Sequence, residues 1–175
     1  MIKLFCLIIL FEISSSYAYA KEKVTLENNY KCVQQDKVEF CVNFENKPFS
    51  GKIERKDNEG NVVLRSNYKD GYKNGLTIEY KKGKVFRRTY YKKGLKNGEE
   101  KEFFENNVIS NFATYNDGEL SGRVESYDKN GDLIGRFRYK DGYLVKGFCQ
   151  YKKGKNKLKK EITNSGYNQI INCEG

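Results

Sequence analysis

Tyr68-Lys69-Asp70-Gly71, Tyr91-Lys92-Lys93-Gly94, Tyr115-Asn116-Asp117-Gly118 and Tyr139-Lys140-Asp141-Gly142 repeat one tyrosine and one glycine at intervals of 23, 24 and 24 residues. A second glycine follows each, at Gly75, Gly98 and Gly122 and, one residue later, at Gly147, while Gly51 marks the same place in an incomplete first unit. A third marker falls midway, at Gly60, Gly83, Asn107, Gly131 and Gly154. Asparagine is the one substitute for glycine that enters the left-handed region cheaply, so Asn107 keeps the pattern. A fixed period of this length decides the architecture before any local reading does.

Turn residues spaced this evenly, with short β-favouring runs between them, describe antiparallel strands and no helix of ten or more residues. The expected fold class is all-β, an elongated single-layer antiparallel meander of repeated β-hairpins. The first strand of each unit is expected after the second glycine, as in Leu76 to Tyr80, Glu99 to Phe104 and Arg123 to Tyr127, and the second strand ends on the repeated tyrosine. Counting back in twos from Tyr68, Tyr91, Tyr115 and Tyr139 puts Ser66, Thr89, Ala113 and Phe137 on the same face as the rings. Neighbouring tyrosines are expected to stack into a ladder. So few large apolar residues per unit imply shallow packing, stability accumulated between neighbours, and capped ends.

The combination Tyr-x-x-Gly, x-x-x-Gly, a strand ending in Tyr or Phe, and a Gly turn resembles the MORN repeat, and more closely its bacterial variant form. The resemblance runs from Asn46 to about Gly154. It departs from the family pattern at Asn106-Asn107, where glycine is usual, at the extra residue in Leu144-Val145-Lys146, and outside the stretch from Pro48 to Lys155. What the resemblance implies is consecutive hairpins in a long sheet, and functions such as membrane attachment, lipid head-group binding, dimerisation or scaffolding. Bacterial variants are often described as antitoxin-like. Such implications are analogies of fold.

The two ends read differently from the middle. Residues 1–20 carry an early lysine, an apolar run from Leu4 to Ile13, and Ala18-Tyr19-Ala20 before Lys21, the order of a cleaved signal peptide. The apolar run is too short for a spanning helix, which needs roughly 20 residues, so the mature chain is expected to be secreted or periplasmic with no transmembrane segment. Residues 21–45 are expected to form a cysteine-containing hairpin cap, 46–155 the repeats, and 156–175 a C-terminal capping strand and tail. Four cysteines lie outside the leader: Cys32, Cys41, Cys149 and Cys173. An even count in an exported chain points to disulfides, for which three pairings exist. The expected one joins Cys32 to Cys41 and Cys149 to Cys173. Zinc is disfavoured, because the chain has no histidine and no cysteine pair at ligand spacing.

The formal net charge of +10 favours an anionic partner or simply solubility. Absence of histidine removes the commonest general base and the Ser-His-Asp and Cys-His arrangements. The carboxylates Glu99, Glu100, Glu102 and Glu105 cluster, but a hairpin context reads as an exposed strand. Gly71 to Gly75 lacks the Gly-Lys-Ser/Thr ending of a phosphate loop. No catalytic residue, metal or cofactor is expected. Arg87 with Arg88, and Arg136 with Arg138, fall on corresponding strands of different units and are the expected anion or partner contacts, forming a basic stripe. Export argues against nucleic acid. The reading is an exported, non-enzymatic repeat protein presenting a binding surface to a protein partner. The alternative is adhesion to anionic lipid, lipopolysaccharide or glycan through the stripe. Oligomeric state is not readable from the sequence.

Overall fold

The computed structural model describes residues 30–153 and 156–173, so the leader expected at 1–20 and the turn glycine Gly154 lie outside the described residues. Twelve strands form one antiparallel sheet: β1 (Tyr30–Gln35), β2 (Val38–Asn43), β3 (Gly51–Lys56), β4 (Val62–Lys69), β5 (Tyr72–Lys81), β6 (Lys84–Lys92), β7 (Leu95–Phe103), β8 (Ile109–Asn116), β9 (Glu119–Tyr127), β10 (Leu133–Lys140), β11 (Tyr143–Lys153) and β12 (Asn156–Ile162). From β3 to β12 each strand pairs with the next in sequence, which is the meander the period implies. The β1–β2 hairpin attaches through a single pair, Phe40 with Tyr72.

Two kinds of turn line the two margins. On one margin Asp70-Gly71, Lys93-Gly94, Asp117-Gly118 and Asp141-Gly142 hold both central residues at positive φ, between 47° and 90°, the geometry that matches the twist of a tight hairpin. On the other, Gly60, Gly83, Asn107 and Gly131 take φ of 86°, 72°, 64° and 85°, so Asn107 does substitute for glycine.

The first margin is stitched from unit to unit. The amide of Gly71 donates to the carbonyl of Phe49, Gly94 to Lys73, Gly118 to Lys96 and Gly142 to Leu120, at 2.8–2.9 Å. To reach that position each odd-numbered strand of the repeats must bend, and the second glycine supplies the bend. Pairing of β4 with β5 passes from Ser66↔Thr77 to Tyr68↔Lys73, which leaves two extra residues on β5 around Asn74-Gly75. The same two-residue bulge recurs between Thr89↔Glu100 and Tyr91↔Lys96 and between Ala113↔Val124 and Tyr115↔Leu120. Gly75, Gly98 and Gly122 sit there at φ of 95°, 104° and 99°, a conformation that penalises any Cβ. The strands expected to start after these glycines therefore start earlier, at Tyr72, Leu95 and Glu119, with the glycine inside the strand. Each bulge glycine faces the tyrosine of the next unit: Gly51↔Tyr68, Gly75↔Tyr91, Gly98↔Tyr115 and Gly122↔Tyr139.

Gly147 differs. In the fourth unit the bulge is one residue shorter than in the others and holds a single residue, Val145, between Tyr139↔Leu144 and Arg138↔Lys146. Gly147 lies beyond it in regular pairing with Phe137, and a Cβ there would overlap the Phe137 ring. It is required for close approach, not for a left-handed turn.

Both ends are capped. Cys32–Cys41 closes the β1–β2 hairpin at directly opposed positions, and Cys149–Cys173 ties the tail to β11, the pairing expected from sequence. Under the first cap lies a cluster of Cys41, Ile53 and Tyr68 with Tyr30, Cys32 and Phe49 around it. Under the second lies a larger one of Ala113, Leu120, Val124, Phe137, Tyr139 and Cys149, flanked by Ile162, Ile170 and Ile171. The caps also continue the stitching. The Cys41 amide donates to the Gly71 carbonyl and the Asn168 amide to the Gly142 carbonyl, both at 2.7 Å. Asn168, at φ 55°, further accepts from the Leu120 amide at 2.5 Å and donates to the Gly118 carbonyl at 3.0 Å.

Gly122→Ala is expected to cost about 1–3 kcal/mol, because φ is 99° and the new Cβ would lie 2.7 Å from the Thr114 hydroxyl. Tyr115→Ala is expected to cost about 1–3 kcal/mol and Lys93→Ala, at an exposed turn, within about 0.5 kcal/mol. Urea unfolding of the variants beside wild type measures the differences; equal midpoints for all three would contradict this account of the fold.

Candidate functional site

One face of the sheet carries a continuous row with one residue from every strand of the repeats: Ile53, Ser66, Thr77, Thr89, Glu100, Ala113, Val124, Phe137, Gly147 and Ile162 are successive cross-strand partners. The row is apolar beneath the two caps and polar between them. Thr77, Thr89 and Glu100 are 2%, 1% and 5% exposed, and buried polar groups require partners. They have them. The Ser66 and Thr77 hydroxyls are 2.5 Å apart. The Thr89 hydroxyl donates to one oxygen of Glu100 at 2.8 Å, the Tyr115 hydroxyl donates to the other at 3.2 Å, and the Lys96 ammonium lies 2.6 Å away. Glu100, expected on an exposed strand, is thus an interior group, because its register neighbours Thr89 and Ala113 both point inward. Glu99 points outward beside Lys101, Glu105 pairs with Lys82 on the loop margin, and Glu102 joins Glu79 around Arg87.

The four repeat tyrosines share this face, but they do not form the expected ring-on-ring ladder. Alternate strands are roughly 9.5 Å apart, and the strand between consecutive tyrosines fills the gap. The Lys73 ammonium sits 5.5 Å from the Tyr91 ring centre and the Lys96 ammonium 4.6 Å from that of Tyr115, while Leu120 faces Tyr115 and Leu144 faces Tyr139. Tyr68 instead meets Phe49 edge-on at 6.3 Å, and the Tyr139 hydroxyl donates to the carbonyl of Gln169 in the tail. Burial and the nearby Glu100 charge push the Tyr91 phenol up to about 12. Burial with Glu100 raises Tyr115, and burial with Glu39 raises Tyr68. Glu39 itself is half-buried. Desolvation alone would raise it, yet Lys73 at 3.2 Å and the hydrogen bond from Arg55 hold it below the usual range.

The arginines expected to form one stripe divide between the faces, because successive residues of a strand point to opposite sides. Arg87 lies on the inner face, held 2.6 Å from Glu102 and 3.2 Å from Glu79. Arg88 and Arg136 lie on the outer face in one cross-strand row with Arg65, Ile78, Lys101, Phe112, Glu125 and Phe148. There Arg136 is bound to the buried carboxylate of Glu125 at 2.8 Å, and Arg88 lies over the Phe103 ring. Arg138 belongs to the second outer row, between Arg123 and Lys146.

The exposed apolar side chains include a group that sequence reasoning missed. Tyr143, Val145 and Tyr167 are 62%, 55% and 51% exposed at the C-terminal corner of the stitched margin. The Tyr143 and Tyr167 rings are 5.2 Å apart, and Tyr167 lies across Gly142. The departure from the repeat pattern at Leu144-Val145-Lys146 was its signal. Among the described residues the one group of potential metal ligands is Cys32, Glu39 and Cys41, whose two sulfurs are already joined. No helix among the described residues is long and apolar enough to cross a membrane.

No protein-family model matches the chain, and no curated protein sequence matches it. Among solved structures it is similar, at 13% identity and a TM-score of 0.29, to a single-residue mutant of TarM from S. aureus crystallised with fondaparinux, α-GlcNAc-glycerol and UDP. The superposition covers 78% of this chain and 21% of that one, so the chain spans about a fifth of the length of that protein. A likeness this slight carries no argument about function.

The tyrosines predict how stability responds to alkali. An unfolded tyrosine ionises near 10.0, whereas Tyr91 holds its proton to about 12, so above pH 10.0 the unfolded chain binds fewer protons and stability falls as pH rises. The melting temperature is expected to drop over that interval, and Tyr91→Phe is expected to lessen the drop. At the acid end the sign reverses. Glu39 contributes stability above its unfolded value of 4.5 that is lost as pH falls through its lower folded value. Melting curves in buffers spanning both ranges measure each effect.

Proposed function

We propose that this chain is an exported, non-catalytic binding protein whose capped sheet holds a rigid surface against a protein partner. The observation that carries the reading is the corner of Tyr143, Val145 and Tyr167. The single-residue bulge of the fourth unit turns Val145 out of the ladder beside two tyrosines whose tilted rings are in contact. A bulge of this kind re-aims a side chain, and exposed tyrosine is what protein interfaces favour. Several of the less exposed charges, in contrast, are spent within the sheet. The carboxylates of Glu39, Glu100 and Glu125 and the guanidinium of Arg87 are all bound within the sheet.

Two disulfides fit an oxidising compartment, and residues 1–20 supply a leader to reach it. The turn-on-turn stitching supports reading the units as MORN-variant repeats. Adhesion through a stripe of Arg87, Arg88, Arg136 and Arg138 is less favoured, because Arg87 faces the other way and Arg136 is already paired.

A photocrosslinking amino acid placed at position 145 in the producing cell is expected to give one discrete heteromeric adduct. The same amino acid at Val33, exposed at the opposite end, is expected to give none. Tyr143→Ser is expected to reduce the adduct at least fivefold without changing the melting temperature. Adducts equal at both positions, or none at 145, would sink the proposal. Mass spectrometry of the exported protein is expected to show a chain beginning at Lys21 with all four remaining cysteines oxidised.

A further inference from the structure

On the outer face, side chains project in two rows that run across the strands, and the backbone between the rows forms the floor of a groove. At the C-terminal end this groove widens to a cleft of about 560 Å³. One wall is the row Arg123, Arg138 and Lys146, which are direct cross-strand partners on β9, β10 and β11. The other wall is Arg136, Phe148 and Glu161 on β10, β11 and β12. Lys159 reaches across with its ammonium 4.2 Å from the Phe148 ring centre. Five cations thus line a cleft whose only lining acid among the described residues is Glu161, with the Glu125 carboxylate beneath it taken by Arg136 and, at 3.6 Å, Arg123.

Like charges directly opposed across a ladder destabilise it. Three in line, with no ion pair to Arg138 or Lys146 among the described residues, therefore need a reason beyond folding. The same groove at the other end of the sheet provides the contrast. There it is lined by Lys52, Glu54, Arg65, Asn67, Leu76 and Ile78, and Arg65 is neutralised by Glu54 at 2.8 Å. That groove is lined by two cations and one acid, against five and one in the C-terminal cleft.

We infer that this cleft binds a linear acidic glycan carrying a carboxylate on successive sugars. Adjacent strands place the wall cations about 4.8 Å apart, close to the length of one pyranose ring between its linking oxygens. An extended peptide advances only about 3.3 Å per residue, further from that spacing. A peptide would also seek main-chain hydrogen bonds, and the floor at Phe137, Gly147 and Ile162 is ladder backbone already paired. Guanidinium forks, in contrast, match carboxylates in two-bond geometry. This site uses different side chains from the Tyr143 corner and stands or falls separately from it.

Isothermal titration of the exported full chain with an oligogalacturonate of ten sugars tests the inference. Binding is expected, with no binding of a neutral galactan oligomer of the same length. Arg138→Gln combined with Lys146→Gln is expected to weaken binding at least tenfold, whereas Arg65→Gln in the opposite groove changes it less than twofold. The double variant is expected to melt no lower than wild type, because it removes opposed like charges; if it melts lower, Lys146→Gln alone is expected to weaken binding at least threefold. The inference is overturned if the Arg138 and Lys146 variants bind like wild type, if Arg65→Gln weakens binding equally, or if poly-glutamate or phosphatidylglycerol vesicles bind more tightly than the oligogalacturonate.

Discussion

One backbone hydrogen bond per unit, from the glycine amide of each Tyr-x-x-Gly turn to a carbonyl of the unit before, is what makes a string of hairpins into one object. Ladder pairing alone ties each strand only to its immediate neighbours. The extra bond fixes register along one margin. In three of the four cases the accepting carbonyl lies at the edge of a bulge with two surplus residues, which holds a glycine at a φ near +100°. The second glycine exists for the sake of the first. Because every such bond reaches only to a neighbour, the chain needs an end-piece on each side, and Cys41 and Asn168 offer their amides to the last free turn carbonyls.

A sheet with no second layer has to solve its interior differently from a sandwich. Here the inner row changes chemistry along its length. Beneath the hairpin cap and beneath the tail it is Ile53 at one end and Ala113, Val124 and Phe137 at the other, where a covering segment excludes water. Between the caps the row is hydroxyl and carboxyl, satisfied by neighbours within the same layer. Leaving one partner of such a network unmatched costs more than the network contributes when complete. The middle of the molecule is therefore specified by mutual satisfaction, and its ends by burial and by covalent ties.

Much of this was legible because the fold is written in backbone punctuation. The period, the meander and the shared face of Tyr68, Ser66, Thr89, Ala113 and Phe137 all follow from turn chemistry and alternation, whereas the cysteine pairing was one of three that the sequence allowed. What escaped was whatever depends on an insertion inside a strand. Alternation counted from Leu76 or Arg123 assumes that the strand starts there, and it hides the bulges at Gly75 and Gly122. The ladder of rings failed for a related reason: one tyrosine per two strands leaves a whole strand between rings, and the lysines and leucines filling that strand belong to the turn segments. Arg87 and Arg136 looked equivalent by unit but not by parity, since they stand four and three residues before their tyrosines. The apolar corner was announced by the surplus residue at Val145, although its consequence for exposure needed coordinates.

The interval of 23 residues between the first two tyrosines, against 24 for the others, has a structural address. The hairpin of β5 and β6 closes at Lys82-Gly83 between Lys81 and Lys84, whereas β7 and β8 are joined through 104–108 and β9 and β10 through 128–132. Between these three hairpins the length varies on the side away from the stitching and leaves the stitching intact. That side can lengthen, shorten or acquire foreign sequence one hairpin at a time, so new recognition elements could arise there by small insertions while the rest of the scaffold keeps its geometry.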